Sequence, residues 1–241
     1  MAELPATTLG GTTNDQRPRR TAFDGSEQLS AKVAAYVREG IMVGEFKAGE
    51  FVRTERLAET LGVSQTPVRE GLMILGSEGA VNWEPRRGYR VVRVTRKDVD
   101  DLFVVQAFIA GELAARAATL LSEPELDELD EIQVRLEAAE GEGASDRVDE
   151  LNFEIHRVIN KASGSHRMAT LLNQTVHYVP LRFFGVIEGW ASASAHDHAP
   201  IFASLRARDP DGARQAMSSH IDHIGGLLTE HLERHGLLES A

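Results

Sequence analysis

The sequence predicts a mainly α protein, with a small head of three helices and a β-hairpin followed by a C-terminal all-α helical bundle. Three observations carry this. From Leu29 onward apolar residues recur at helical spacing over most of the chain. A single Pro/Gly turn, Pro85-Arg86-Arg87-Gly88, lies between two β-prone stretches. Charge divides at the same place. Residues 28–95 carry 10 Lys+Arg against 8 Asp+Glu, while residues 96–241 carry 13 against 25, so the net charge of −11 belongs to the C-terminal part. A modestly basic module joined to an acidic one suits a nucleic-acid-binding head with a separate sensing or assembly part.

Taken in order, residues 1–27 are rich in Thr, Gly, Pro and Arg without periodicity and read as a disordered arm. Arg17, Arg19 and Arg20 are its cations, solvated or touching phosphates. Leu29, Val33, Tyr36 or Val37, and then Ile41 share one helical face that ends at Gly44. A short helix from Arg53 or Thr54 runs to Leu61 and stops at Gly62. A third runs from Gln65 through Val68, Leu72 and Leu75. Ser64 stands where an N-cap hydroxyl can accept from first-turn N–H groups, and Pro67 lies within that turn. Gln65, Thr66 and Arg69 are then its outward polar groups, suited to a helix entering a major groove N-terminus first. Ala80–Trp83 and Tyr89–Val94 flank the turn as a hairpin. Three helices followed by a hairpin is the winged helix-turn-helix order, giving a domain at 28–95. Arg86-Arg87-Gly88 at the wing tip pairs cations with a residue that permits close backbone approach, as in tips that meet phosphates or the minor groove.

After Thr95 the pattern is helical to the end. Six helices are expected: from Thr95 or Asp98 to about Leu121; from the Ser122-Glu123-Pro124-Glu125 cap to about Glu140; Asp146 to Ala162; Arg167 to about Glu188, bent at Pro180; Ser192 to about Arg208; and a last one from Asp209-Pro210-Asp211 to about Arg234. Residues 96–241 thus form one all-helical domain. The chain has no cysteine, which excludes disulfides, Cys-based zinc fingers and thiol catalysis. No uninterrupted apolar run approaches the roughly 18 residues of a membrane span, and no apolar core of a signal peptide is visible at the start. A cytoplasmic protein without membrane contact is expected.

With these elements in hand, residues 28–95 resemble the DNA-binding domain of the GntR family of bacterial transcription regulators. The resemblance rests on Leu57-Ala58-Glu59, Leu61-Gly62-Val63-Ser64-Gln65-Thr66-Pro67-Val68-Arg69-Glu70, Leu72, Leu75, Glu78-Gly79 and Arg87-Gly88. The remainder resembles the FadR-type ligand-binding domain called FCD, through Asn152-Phe153-Glu154-Ile155-His156, Ala162-Ser163-Gly164, His198 with Ile201, and His220-Ile221. The resemblance implies DNA contacts from Ser64, Gln65, Thr66, Pro67, Arg69, Arg87 and Gly88. Family members usually carry Arg where Gln65 stands, and often where Glu55 stands; Arg53 and Arg56 are candidates for the displaced cation. Gln106 replaces a common family Arg, and Ala110 a Glu, which implies a differently charged effector pocket.

Asn152 and His156 lie at i and i+4 on one helix face, and His198 and His220 fall on two later helices. Four such groups on three helices of a bundle can converge on one point. The resemblance implies that they hold a divalent metal, since metal-binding members carry Asp or Asn and three His at these positions; imidazole suits zinc or nickel among others. Tyr178 and Arg182 share a face and join Gln106 as candidate effector contacts. The other six His are read as surface or supporting groups. The implied function is a DNA-binding regulator, a repressor rather than an activator. It would act as a homodimer on a palindromic operator, controlled by a small-molecule effector at or near the metal, with an organic acid among the candidates. Two alternatives remain. One is a metal-dependent hydrolase, although there is no HExxH and Glu154 faces away from Asn152 and His156. The other is a DNA-binding protein with no sensor function.

Overall fold

The computed structural model describes residues 29–176 and 184–238. The expected arm, the bend at Pro180, and Tyr178 and Arg182 lie outside them.

The head follows the expected order. Helix α1 (Leu29–Met42) buries Val33, Ala34 and Val37 on one stripe. Helix α2 (Thr54–Leu61) ends at Gly62, whose φ of 66° satisfies the left-handed cap position that glycine takes most cheaply. Helix α3 (Gln65–Ser77) buries Val68, Gly71, Leu72 and Leu75. A Cβ on Gly71 would lie 2.8 Å from the Ser30 carbonyl oxygen, so α1 and α3 touch backbone to side chain here. The half-buried Arg38–Glu78 pair, with Nη2 to Oε1 at 2.7 Å, ties the far ends of the same two helices. Strands β2 (Val81–Glu84) and β3 (Gly88–Val91) form the hairpin, with Val81 opposite Val91 and Trp83 opposite Tyr89. A further strand, β1 (Phe51–Val52), was not expected; it pairs antiparallel with β3, giving the order β1-β3-β2. Two residues are too few to show a period of two.

The C-terminal part holds seven helices among the described residues rather than six. Helix α4 (Arg96–Leu120) opens on a capping box in which Thr95 and Asp98 bond reciprocally. Helix α5 (Glu123–Gly141) opens on the Ser122/Glu125 box with Pro124 in its first turn. Helix α6 is Ser145–Ala162 and α7 is His166–Val176. The helix expected to reach Glu188 does not. Residues 185–189 are turns, and Gly189 at φ 84° sits outside helical space. The helix expected from Ser192 to Arg208 is two, α8 (Trp190–His196) and α9 (His198–Arg206), meeting at Asp197. Pro200 explains the break: it has no N–H for the His196 carbonyl four residues back. Helix α10 (Pro210–Arg234) is capped by Asp209, which accepts from the Asp211 and Gly212 amides.

Helices α4 and α10 form the axis of the bundle. A Cβ on Gly225 would come within 2.6 Å of the Phe103 ring, and one on Gly111 would collide with Ser218. Ser218 Oγ also donates to the Ala107 carbonyl at 3.0 Å, so small residues set the spacing. Helix α4 is the one helix among the described residues long and apolar enough, by length and composition, to cross a membrane. Its buried residues, Val99 through Ala118, instead pack within the bundle. Three apolar clusters result. One fills the head, one the bundle, and a third joins Val99, Phe103, Phe184, Ile187, Trp190 and Ile224 to Met42 and Val94 from the head side.

Gly225→Ala is expected to lower the unfolding free energy by about 1–3 kcal/mol, because Phe103 must leave its position to admit the methyl group. Denaturant titration of the two proteins measures this.

Candidate metal centre, cavity and DNA-facing head

The three His expected to converge do so. His156 lies on α6, His198 opens α9 and His220 is midway along α10, and one ligand nitrogen from each lies within 4.8 Å of the others. His156 Nε2 and His220 Nε2 are 3.2 Å apart. Two nitrogens on a tetrahedral zinc would be about 3.3 Å apart for Zn–N bonds of 2.0–2.1 Å. His198 and His220 are almost wholly buried.

The tautomers follow from the surroundings. Gln133 Nε2 donates to the Ala195 carbonyl at 2.6 Å and to Glu137 Oε1 at 2.9 Å, so its Oε1 must face His198 Nδ1, 3.0 Å away. That nitrogen therefore carries the proton, and Nε2 is left as a bare acceptor. His198 Nε2 is indeed buried with no hydrogen-bond partner. His220 Nδ1 likewise points to Asp197 Oδ2 at 3.4 Å, freeing its Nε2 for the centre. Burial works against the Asp197 carboxylate, but hydrogen bonds from His220 and from His223 at 2.7 Å hold its pKa below the ordinary value. Burial and then the His220 ring push the His156 pKa down to about 3; burial, then His220 and His156, hold His198 well below its usual value. Both rings are neutral at physiological pH, the state a metal requires. Asn152, one turn before His156, has its Oδ1 buried without a partner. Two orphaned buried acceptors beside facing imidazole nitrogens fit a divalent ion held by Asn152, His156, His198 and His220, with Gln133 and Asp197 orienting the rings.

This centre opens on a cavity of about 590 Å³ lined by Asn152, His156 and His220. Gln106 lines it too, its Nε2 donating to the Thr175 carbonyl at 3.1 Å, as does Ala110. Arg157 and Lys161 supply cations to the lining, and Phe184 and Trp190, with ring centroids 4.4 Å apart, form an aromatic wall. Asp149 also faces the cavity. Trp190 Nε1 donates to its Oδ1 at 2.6 Å, yet burial outweighs that bond and pushes its pKa up to about 6. Asp149 had a readable signal: with Asn152, His156 and Asn160 it falls at i, i+3, i+7 and i+11 on one face of α6. Gln133 and Asp197 had none, since their roles depend on contacts between helices distant in sequence.

In the head, Ser64 occupies the N-cap of α3 but makes no capping bond. Contrary to expectation, Pro67 as third helical residue removes one of the two amides a cap hydroxyl can reach, and the other, that of Thr66, is not bonded to it. Ser64, Gln65, Thr66 and Arg69 are exposed and Pro67 half-buried, with Arg69 Nη2 donating to Gln65 Oε1 at 3.1 Å. Arg53 and Arg56 are exposed at the start of α2. At the wing, Gly88 takes a φ of 97°, while Arg87 lies 3.6 Å from Glu84 and over the Phe51 ring.

Comparison with known proteins follows the same division. Residues 29–91 match the profile of the bacterial regulatory proteins of the gntR family, and residues 101–223 match that of the FCD domain. The chain belongs to the GntR family. Its FCD domain fits the FadR-like branch. It is similar to the HTH-type transcriptional regulator YdhC of Bacillus subtilis, 26% identical over 78% of this chain and 85% of that one. It is also similar to the HTH-type transcriptional repressor RspR of Escherichia coli, 22% identical over 85% of this chain and 90% of that one. The solved structure of E. coli McbR/YncC superimposes with a TM-score of 0.65 at 23% identity, covering 85% of this GntR chain and 99% of the other. This GntR protein is therefore a DNA-binding transcription regulator and not an enzyme.

Two outcomes are expected. Asp197→Ala frees the His220 ring and should weaken zinc binding about 10- to 100-fold in a competition titration. Asp149, with its folded pKa above the unfolded one, stabilises the fold below about pH 4 and loses that contribution as pH rises through about 6. Asp149→Asn keeps an acceptor for Trp190, so it should flatten melting temperature against pH across that window. Above pH 6 it should add about 1 kcal/mol, a figure already discounted for partial solvation of the group.

Proposed function

We propose that this GntR regulator is a homodimeric repressor that a small-molecule effector releases from a palindromic operator. Residues 28–95 hold DNA, and residues 96–241 sense the effector and assemble the dimer in the cytoplasm. The observation that carries the sensing part is the convergence of His156, His198 and His220 on the wall of a sizeable cavity. We assign Asn152 and these three His to a divalent metal, zinc or nickel, which when bound supplies a Lewis-acid position for an effector oxygen. Arg157 and Lys161 in the lining favour an anionic effector, an organic acid, and Gln106 contributes a polar group to its fit.

The route to the head is physical. Phe103, Phe184, Trp190 and Ile224 line the cavity and also belong to the cluster against which Met42 of α1 and Val94 pack. An effector that shifts those rings changes the seat of the head. The change has consequence only if the effector binds the two seatings unequally. In the head, the exposed Gln65, Thr66 and Arg69, with Ser64 and Pro67 at the helix start, are assigned to the major groove. Arg53, Arg56, Arg87 and Gly88 are assigned to the flanking backbone. The repressor reading draws on RspR, whose name describes a repressor.

For the dimer, α4 presents Val104, Val105 and Phe108 on one stripe, with Val104 64% and Phe108 67% exposed. A solvent-facing apolar stripe on the central helix suits a second copy of the chain.

Elemental analysis should find about one divalent ion per chain, and His156→Ala should bring it below about 0.2; wild-type protein purified without chelator yet free of metal would sink this assignment. Phe108→Asp should convert a dimer into a monomer in sedimentation velocity, with operator affinity lost in parallel.

A further inference from the structure

Among the described residues the cavity wall holds a single carboxylate, Asp149, and no cation of the chain pairs with it. Its Oδ1 accepts from Trp190 Nε1 at 2.6 Å, but its Oδ2 is buried and accepts from no donor. Burial works against the ionised form first, and the like charge of Asp146 adds to that. The Trp190 bond and the nearby Gly185 amide oppose it only in part. A carboxylate so placed weakens the free protein and marks a binding group that lacks its partner.

Helix α6 runs along the cavity and sorts its groups by position. Asp149 stands at the early end beside Phe184 and Trp190, whose ring centroids are 4.4 Å apart. Asn152 and His156 follow at about one and two turns. Arg157 and Lys161 come last and are exposed, whereas Asp149 Oδ2 is buried. A plain anion would be served by the centre and the two cations, and Asp149 would repel it. A carboxylate beside aromatic faces is instead the chemistry that receives an ammonium group, through a charge-assisted hydrogen bond and cation–π attraction. Only ~7.5 Å of helix rise separates Asp149 from the midpoint of Asn152 and His156. That span suits a small molecule whose two charges lie a few bonds apart.

We propose that the effector is an amino acid, with its ammonium group held by Asp149 between the rings of Phe184 and Trp190 and its carboxylate toward Asn152 and His156. This rests on the effector-sensing reading of the cavity. Asp149 is then the residue that separates an amino acid from an acid of the same skeleton without the amino group. The ligand's ammonium group also supplies the cation that the buried carboxylate lacks in the free protein.

The test uses the full chain, saturated with zinc and then freed of excess. It is titrated in a calorimeter with each protein-forming L-amino acid and with the matching carboxylic acid that carries hydrogen in place of the ammonium group. At least one amino acid should bind about 30-fold or more tightly than its matching acid, the scale expected for a buried charge pair. Asp149→Asn and Asp149→Ser should each bring the two within about threefold, chiefly by weakening the amino acid. A wild-type protein that binds the matching acids as tightly overturns the inference, whatever the substitutions do to the fold, and leaves the sensing reading standing. A variant that keeps the preference also overturns it, since the ammonium group is then read elsewhere. So does a variant weakened equally toward both kinds, since Asp149 then acts only through packing or through the charge of the centre. A wild-type protein that binds neither kind overturns both the inference and the organic-acid reading.

Discussion

The close approach of α4 and α10 is the constraint on which the rest of the C-terminal half depends. Gly225 against Phe103, and Gly111 against Ser218, let two 25-residue helices lie nearly in backbone contact. That spacing places His220 of α10 beside the cavity edge that Gln106 and Ala110 of α4 form. Helices α6 and α9 then complete the site from the other side, bringing His156 and His198 to the same point. A larger side chain at either glycine would separate the metal's would-be ligands from the cavity lining as well as loosen the core.

The same axis joins sensing to DNA. The lower part of α4 and the far part of α10 hold Val99, Phe103, Ile224, Leu228 and Leu232 in one cluster with Phe184 and Trp190. Met42 at the end of α1 and Val94 just after β3 rest on that cluster, and Arg96 pairs with Glu233 at 3.0 Å beside it. Cavity wall and head support are therefore one packed unit. Packed units of this kind repack between discrete arrangements rather than deform smoothly, which suits a two-state response.

Much of this was legible in the sequence because it rests on local signals. The caps at Thr95, Ser122 and Asp209, the stop at Gly62 and the turn at Pro85–Gly88 each act within a few residues, and each lies where expected. The His trio was legible through the family resemblance, since three rings on three helices meet only by tertiary packing. What escaped notice depends on distant partners or on too little chain. Strand β1 is two residues long. Gln133 and Asp197 act on rings 65 and 23 positions away. The split at Asp197 turned on a single missing N–H, that of Pro200, inside a stretch whose apolar spacing reads as one continuous helix. The Ser64 cap lost one of its two candidate donors in the same way, at Pro67 three residues on.

The chain has two tryptophans, and the fold puts them at opposite ends of its working path. Trp83 stands on the wing with 63% of its surface open to solvent, whereas Trp190 is 5% exposed in the cavity wall, bonded to Asp149. The two indoles thus emit from different surroundings, one wet and red-shifted, the other dry and blue-shifted. A single unlabelled sample contains two separable optical reporters, one beside the DNA-facing surface and one beside the effector cavity, so occupancy of each end can be followed without attaching a dye to either.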